Sequence, residues 1–560
     1  MLKNIQLLFS ALFVADDELD TSPNFIPYIL GTLLFVCCGI KLYIGLPNAM
    51  DIQFADEAAY LRFGLDLFEK INYNWGPMYA VWYKLLSYFS QDTIQLYYLN
   101  FALVSVLLVL LLYVFLLRIN IHPYLALFIT FSVLVSNLNV SVWPRISHFC
   151  VVLCLFALIV VSFIRNKIYK CYVFTVACLL CAYARPEFYL AFAFMLLVTL
   201  ICIYFNRQKW VKREWILFLF FILIIAFLHF VFRFPSNDFF GYNRGVAAFY
   251  QHYAWNYKMR TNGTFDAWLI WEDLAKSKFG DCNSMLCVIL NEPMEFIRNT
   301  LFNVRTFLLQ LLKVFSFAVP FELFRWKKIQ LLLIGISVLS FIGLLIWKPT
   351  RTYFIQSLVS FKFYLLLIAC FVFPTLISCV VVFPRDHYLF LQMMLYIFIF
   401  ISVLSFFFQY FTYHNGLFVV LCGLLFLATP NVKNYQFMKV NTDTDYLCNI
   451  ELIHHIESKY ASKQHTIFTN LPFVHGMLPT NFKEVNTIFD KKKHRPFQHY
   501  LDSANIDMVI VLPSLLRDPH VASDSSWNYF IQHYEQYGFK KDVFSKCEMY
   551  LLQKNALKTH

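Results

Sequence analysis

Long apolar runs constrain this chain more than any other feature. A membrane-crossing helix needs about 20 mainly apolar residues, within a range of about 17–25. Eleven stretches meet that requirement: 25–46, 94–118, 121–139, 146–165, 168–184, 187–206, 214–233, 329–347, 362–383, 387–408 and 412–429. The break at Arg185-Pro186 allows 168–206 to be a pair of short helices. Hydrophobic residues make up 59% of the chain and charged residues 14%, with a mean hydropathy of +0.58. Ordinary globular chains are roughly 25% charged, so a water-soluble surface cannot be built here. Soluble, disordered and fibrous classes fall away together, leaving a polytopic α-helical membrane protein.

The charges are unevenly placed. Residues 431–560 hold 28 Asp, Glu, Lys and Arg and nine of the fifteen His. That shift predicts a membrane body over 1–430 followed by a small soluble domain over 431–560, near the lower size limit for independent folding. The net charge of +12 lies mostly in the body, where basic cytoplasmic loops would put it, so nucleic acid is not an expected partner. The first span is expected to serve as the targeting signal.

Orientation follows from Lys and Arg in short loops. The turns near Arg118, Arg165/Lys167/Lys170, Arg207/Lys209/Lys212/Arg213 and Lys348/Arg351 define one side, taken as cytoplasmic. The opposite side receives the large loops 47–93 and 234–328, the turns at 140–145, 185–187 and 384–387, and the C-terminal domain. In a bacterium this membrane would be the plasma (inner) membrane. Residues 301–322 are long enough to span, but Arg305 and Lys313 favour an interfacial helix. No internal repeat is visible and ionisable residues gather at span ends, which argues against a transporter. The working face is therefore expected to be extracytoplasmic.

The first loop reads Phe54-Ala55-Asp56-Glu57-Ala58-Ala59-Tyr60, followed by Trp75-Gly76-Pro77-Met78-Tyr79. Adjacent carboxylates just outside a span can take a proton from an attacking hydroxyl or hold a divalent cation such as Mg²⁺ or Mn²⁺. They can equally open a surface helix, where acidic side chains favour the positive N-terminal dipole. These words resemble the first luminal loop of GT-C superfamily glycosyltransferases, closest to the protein O-mannosyltransferase and lipid-A aminoarabinose transferase (glycosyltransferase family 39-like) group. Pro384-Arg385-Asp386-His387-Tyr388-Leu389 resembles the Arg-Tyr-Leu-Leu-Pro element that opens a late span in that group. Here Asp386-His387 intervene and no Pro follows Leu389. The order of spans, first-loop acids, large mid-chain loop and C-terminal domain also matches.

The resemblance implies transfer of a sugar from a polyprenyl-phosphate donor to a glycan, lipid or protein acceptor, with inversion at the anomeric centre. Asp56 matches the family's first-loop acid, as the base on the acceptor hydroxyl or its orienter, and Glu57 is the adjacent acid, a metal ligand or its partner. Tyr60, Trp75, Tyr79 and Glu187 are candidate sugar or acceptor contacts. A departing phosphate needs fixed cations, and Arg145, His148, Arg185, Arg385 and His387 lie at the predicted outer edge. Arginine's planar fork suits phosphate, although span-end arginines also snorkel to the interface. Two rivals remain open: a polymerase or ligase using a lipid-linked glycan, and a non-enzymatic lipid-linked-sugar flippase.

The remaining text is less specific. The aromatics Tyr242, Phe249, Tyr250, Tyr253, Trp255, Trp268 and Trp271 suit interfacial anchoring or an acceptor groove. Most of the fifteen Cys lie inside spans, while Cys282 and Cys287 form a nearby external pair able to bridge in an oxidising compartment. The C-terminal pattern predicts helices over 446–461, 497–504 and 525–537 and strands over 465–469, 507–512 and 547–553. A small α/β sheet follows, without a Gly-rich phosphate loop. The basic run Lys491-Lys492-Lys493-His494-Arg495 reads as a solvated loop.

Overall fold

A computed structural model describes residues 25–48, 50–52, 55–140, 144–206, 211–235, 238–239, 242–315, 335, 342–343, 346–431, 448–471, 473–486, 496–516, 519–543 and 548–554. The expected span at 329–347 lies mostly outside these residues, and the basic run 491–495 lies wholly outside them. By compactness the described chain forms two units. The first takes the described residues within 1–42, 72–79 and 102–431; the second takes those within 43–71, 80–101 and 432–560.

Among the described residues, eight helices are long and apolar enough to cross a membrane. They are Phe25–Asn48, Thr93–Arg118, Ile146–Phe163, Lys167–Ala184, Phe188–Asn206, Lys212–Phe232, Lys362–Val381 and Asp386–Phe408. Two further apolar helices, Pro123–Leu134 and Asn415–Ala428, are shorter than the expected spans over 121–139 and 412–429. Pro186 explains the break at 185–187: the residue before a proline is driven out of the helical region, and Arg185 is extended at φ −135° and ψ 115°.

The apolar helices of the first unit pack where small residues permit. A side chain at Gly31 would overlap the Tyr113 ring, and one at Gly39 would overlap Val106. These close approaches are the usual device of helices in lipid, where water supplies no drive for association. Tyr172 stacks on Phe221 at 4.4 Å and Phe188 on Phe371 at 4.8 Å. By contrast, Lys212–Phe232 leaves Trp215, Ile216, Leu219, Phe220, Phe227 and Phe230 exposed. A patch of that size is unsuited to water, and hydrocarbon is the solvent it fits.

The segment after Lys212–Phe232 makes a two-strand hairpin, β1 (Asp238–Phe239) and β2 (Tyr242–Asn243). Helices Arg244–Thr261, Ala267–Phe279 and Met285–Asn291 follow around a core of Phe249, Tyr250, Tyr253 and Phe279. A disulfide joins Cys282 to Cys287. The next helix, Pro293–Phe315, begins before the expected 301–322 segment and is not among the span-like helices. Its Asn303 amide donates to the carbonyls of Val380 and Val382 at 3.0 and 3.1 Å, and Asn256 donates to Asn299 and Asn303 at 2.9 and 2.8 Å. This buried amide ladder ties the loop helices to the end of Lys362–Val381.

The second unit is built on a five-stranded mixed sheet of order β4-β3-β5-β7-β6. Its strands are β3 (His465–Thr469), β4 (Phe482–Asn486), β5 (Met508–Val511), β6 (Phe539–Val543) and β7 (Tyr550–Lys554). β3 pairs in parallel with β4 and β5, and β7 pairs antiparallel with β5 and β6. Ile467, Phe468, Val509, Ile510, Leu551, Leu552, Trp527 and Phe530 form its core.

The C-terminal sheet does not stand apart from the first loop. Asp51 accepts from the backbone N–H groups of Asn449 and Ile450 at 2.9 and 3.1 Å, at the start of helix Cys448–Tyr460. Asp51 therefore acts as an N-terminal cap supplied from a remote segment. The short helix Val474–Met477 meets helix Ala55–Leu65 so closely that a Cβ on Gly476 would lie 2.3 Å from the Ala58 carbonyl oxygen. Arg62 donates to the Leu478 carbonyl at 3.1 Å, and Thr93 donates to that of Met477 at 2.9 Å.

Candidate functional site

The paired acids of the first loop have different surroundings. Asp56 and Glu57 occupy the first turn of helix Ala55–Leu65, and successive helical residues point about 100° apart. Asp56 is exposed; Glu57 is fully buried. Glu57 Oε1 accepts from the Tyr83 hydroxyl and from Asn100 Nδ2, the latter at 2.8 Å. Asn100 Oδ1 in turn accepts from Trp82 Nε1 at 2.7 Å. All of these residues belong to the second unit. Tyr60, on the same helix, is buried.

Mg²⁺ is held by one or two carboxylates together with waters and substrate phosphate; here Glu57 Oε1 is taken up by two protein donors in the interior, while Asp56 is exposed. Among the described residues no group of three or more His, Cys, Asp and Glu side chains could hold a metal.

Trp75 and Tyr79 fall in the first unit. Trp75 is half-buried in the turn before helix Pro77–Leu86; Tyr79 is fully buried, its ring 5.2 Å from that of Phe149.

The five cationic candidates also belong to the first unit, and there they converge. Each arginine stands beside a proline at a helix break: Pro144-Arg145, Arg185-Pro186 and Pro384-Arg385. Proline limits the backbone on either side, so the arginine sits between helices and its long side chain can fold into the gap. Arg145 is fully buried; its guanidinium donates to the Asn139 carbonyl and to His148 Nε2, the latter at 2.8 Å. A guanidinium only donates, so Nε2 must accept. The His148 ring stacks on Phe390 at 3.9 Å and 18°, bringing the N-terminal turns of Ile146–Phe163 and Asp386–Phe408 side by side.

The third break joins the same place. Arg185 donates to Glu187 at 2.6 Å and to the Ser147 hydroxyl, and its guanidinium lies 5.2 Å from the Tyr388 ring centre. Arg185, Arg385, His252 and His148 all act electrostatically on His387. The Nε2 atom of His387 is itself buried, with no hydrogen-bond partner among the described residues.

His252 is a member that sequence reasoning missed. It is buried on helix Arg244–Thr261, stacked on Phe383 at 5.8 Å and edge-on to Trp268 at 6.0 Å. Burial pushes its pKa well below the usual value, and the Arg385 charge adds to that. The proline beside each arginine was the available signal for convergence. Nothing comparable marks His252, which lies in aromatic text far from Arg385 in sequence.

Two helix N-termini and three arginines, of which Arg185 is paired with Glu187, form in one interior region an arrangement suited to an anion. Helix N-termini carry partial positive charge and orient N–H groups outward; arginine adds paired donors. No protein-family model matches this chain, and a search of curated proteins finds no match. The likeness noted above therefore rests on the residues themselves.

Proposed function

We propose that this protein transfers a sugar from a polyprenyl-phosphate donor to an extracytoplasmic acceptor. The observation that carries the reading is the convergence of Arg145, His148, Arg185, Arg385 and His387 at three proline-marked helix breaks, joined by His252 from helix Arg244–Thr261. The donor's phosphate is the anion this cluster would hold, and apolar helices around it suit a prenyl tail. Asp56, matched to the family's first-loop acid, takes the proton of the acceptor hydroxyl. The acceptor oxygen bonds to C1 of the sugar as the C1–O bond to phosphate breaks. The lipid phosphate leaves with the bonding pair, and the configuration at C1 inverts. Cations fixed around the departing phosphate stabilise its growing charge.

Cysteine usage supports an external working face. The loop pair Cys282–Cys287 is bridged, and Cys448 of the second unit is also disulfide-bonded. The free cysteines among the described residues all lie in apolar helices. Disulfides persist where the compartment is oxidising, which favours placing these loops outside the cytoplasm.

The test is turnover by the purified full-length protein in lipid nanodiscs, given polyprenyl-phosphate hexoses and cell-envelope acceptors. Asp56→Asn is expected to abolish transfer while leaving thermal unfolding unchanged. Transfer at the wild-type rate by that variant would remove Asp56 from the chemistry. Transport of intact donor without product would overturn the transferase reading in favour of a flippase.

A further inference from the structure

The loop helices of the first unit bury their aromatic core without two of their tryptophans. Phe249, Tyr250, Tyr253 and Phe279 are fully buried, whereas Trp268 is 44% exposed and Trp255 is 37% exposed. The two indoles lie 6.2 Å apart at 41°. Trp268 stands in the first turn of helix Ala267–Phe279, where its backbone N–H donates to the capping carboxylate of Asp266 at 2.8 Å. Its neighbours are polar and cationic. The Arg385 guanidinium lies 5.9 Å from its ring centre and the His252 ring meets it edge-on.

We propose that Trp268, flanked by Trp255 and adjoining Arg385 and His252, is a stacking platform for the sugar ring of a phosphate-linked glycolipid. The proposal rests on the phosphate reading of the cationic cluster and adds the group attached to that phosphate. An indole face carries partial negative charge, and the C–H face of a pyranose presents partial positive hydrogens to it. In a glycosyl phosphate the ring is one oxygen away from the phosphorus, so its ligand needs a cationic pocket and an aromatic face side by side. Arg385 provides that adjacency, because one guanidinium belongs to the cluster around His387 and also lies over Trp268. An interfacial anchor would need only apolar surroundings and a headgroup, and would have no use for a buried histidine and an arginine at its ring.

Two probes separate the platform from the phosphate site: bare polyprenyl monophosphate, and the same lipid carrying glucose, mannose or galactose. Both are titrated as radiolabelled lipids against the full-length protein in nanodiscs. The wild type is expected to bind at least one glycosylated lipid more tightly than the bare one. Trp268→Ala is expected to erase that preference, weakening the glycosylated lipid about tenfold while leaving the bare lipid unchanged. Trp268→Phe, which keeps an aromatic face, should restore part of it, and Arg385→Ala should weaken both probes. Equal loss of both probes in Trp268→Ala, or no wild-type preference for any glycosylated lipid, would overturn the platform. If bare and glycosylated lipids both fail to bind the wild type, the phosphate reading falls and the platform falls with it.

Discussion

Two buried polar clusters, one in each unit, are built on opposite principles. In the second unit the fully buried Glu57 carboxylate is answered by neutral donors, Tyr83 and Asn100, with Trp82 fixing the Asn100 amide. In the first unit, arginines and histidines gather around His387, whose buried Nε2 has no hydrogen-bond partner among the described residues. A carboxylate met by its own fold's donors specifies structure. A cationic cluster at converging helix N-termini is instead suited to a ligand that arrives from outside. The contrast bears on the two acids and the cations differently: Glu57 is tied into its own fold, whereas the arginine cluster is the proposed place of the donor phosphate.

The largest expected effect tests the structural half of that contrast. Glu57→Ala removes the acceptor of the Tyr83 hydroxyl and of one Asn100 N–H, although Asn100 Nδ2 still donates to Tyr83 at 2.9 Å. Each unmet buried donor costs about 1–3 kcal/mol, so a loss of roughly 2–6 kcal/mol is expected. Glu57→Gln keeps an acceptor oxygen and should lose much less. Thermal unfolding of the purified protein reads both variants. If Glu57→Ala unfolds with wild-type stability yet fails to turn over, Glu57 acts in the chemistry and the contrast is broken.

A smaller effect should sharpen the same side. Arg62 is buried between Asp66, at 2.8 Å, and the Leu478 carbonyl, at 3.1 Å. Asp66 is partly exposed and can be hydrated when its partner goes, so Arg62→Met loses mainly the bond to Leu478. Bonds to charged groups contribute about 1.5–3 kcal/mol. The expected outcome is a loss within that range, with earlier proteolysis near residues 470–480 and unchanged affinity for bare polyprenyl phosphate. Weakened lipid binding would show that Arg62 serves the anion site as well.

The elements legible in the sequence and those that were not differ for physical reasons. The apolar helices announced themselves because lipid demands long uninterrupted runs. In the sheet, the expected strands at 465–469, 507–512 and 547–553 correspond to β3, β5 and β7, the three interior strands. The unexpected ones, β4 (FKEVN) and β6 (FKKDV), are the two edges. Edge strands carry charge to block further pairing, and charge hides them from a search for hydrophobic runs. At the site, Arg145, Arg185 and Arg385 were visible singly as cations at span ends, but their meeting depends on helix packing. Asp56 and Glu57 look equivalent as letters; a helical turn sends one to the surface and the other inside.

The smallest effect vanishes at neutral pH and concerns His252. Burial, reinforced by Arg385, holds its folded pKa well below the ordinary value, which is about 6.5 in an unfolded chain. As pH falls through about 6.5, the unfolded chain takes up a proton that the folded protein refuses, so stability declines with falling pH. The decline ends once pH drops below the folded pKa. His252→Gln removes this titration, and its stability should fall less steeply on acidification, measured as unfolding temperature across the acid range. A phosphate bound beside Arg385 would oppose that guanidinium's charge and raise the folded pKa of His252, making the wild-type decline shallower. Saturating hexosyl polyprenyl phosphate, a diester whose single charge does not titrate in this range, should therefore flatten the wild-type pH dependence and leave that of His252→Gln unaltered. An equal slope in wild type and variant without ligand would show that His252 does not titrate with folding. A wild-type slope unmoved by ligand would place the bound phosphate away from this side of the cluster.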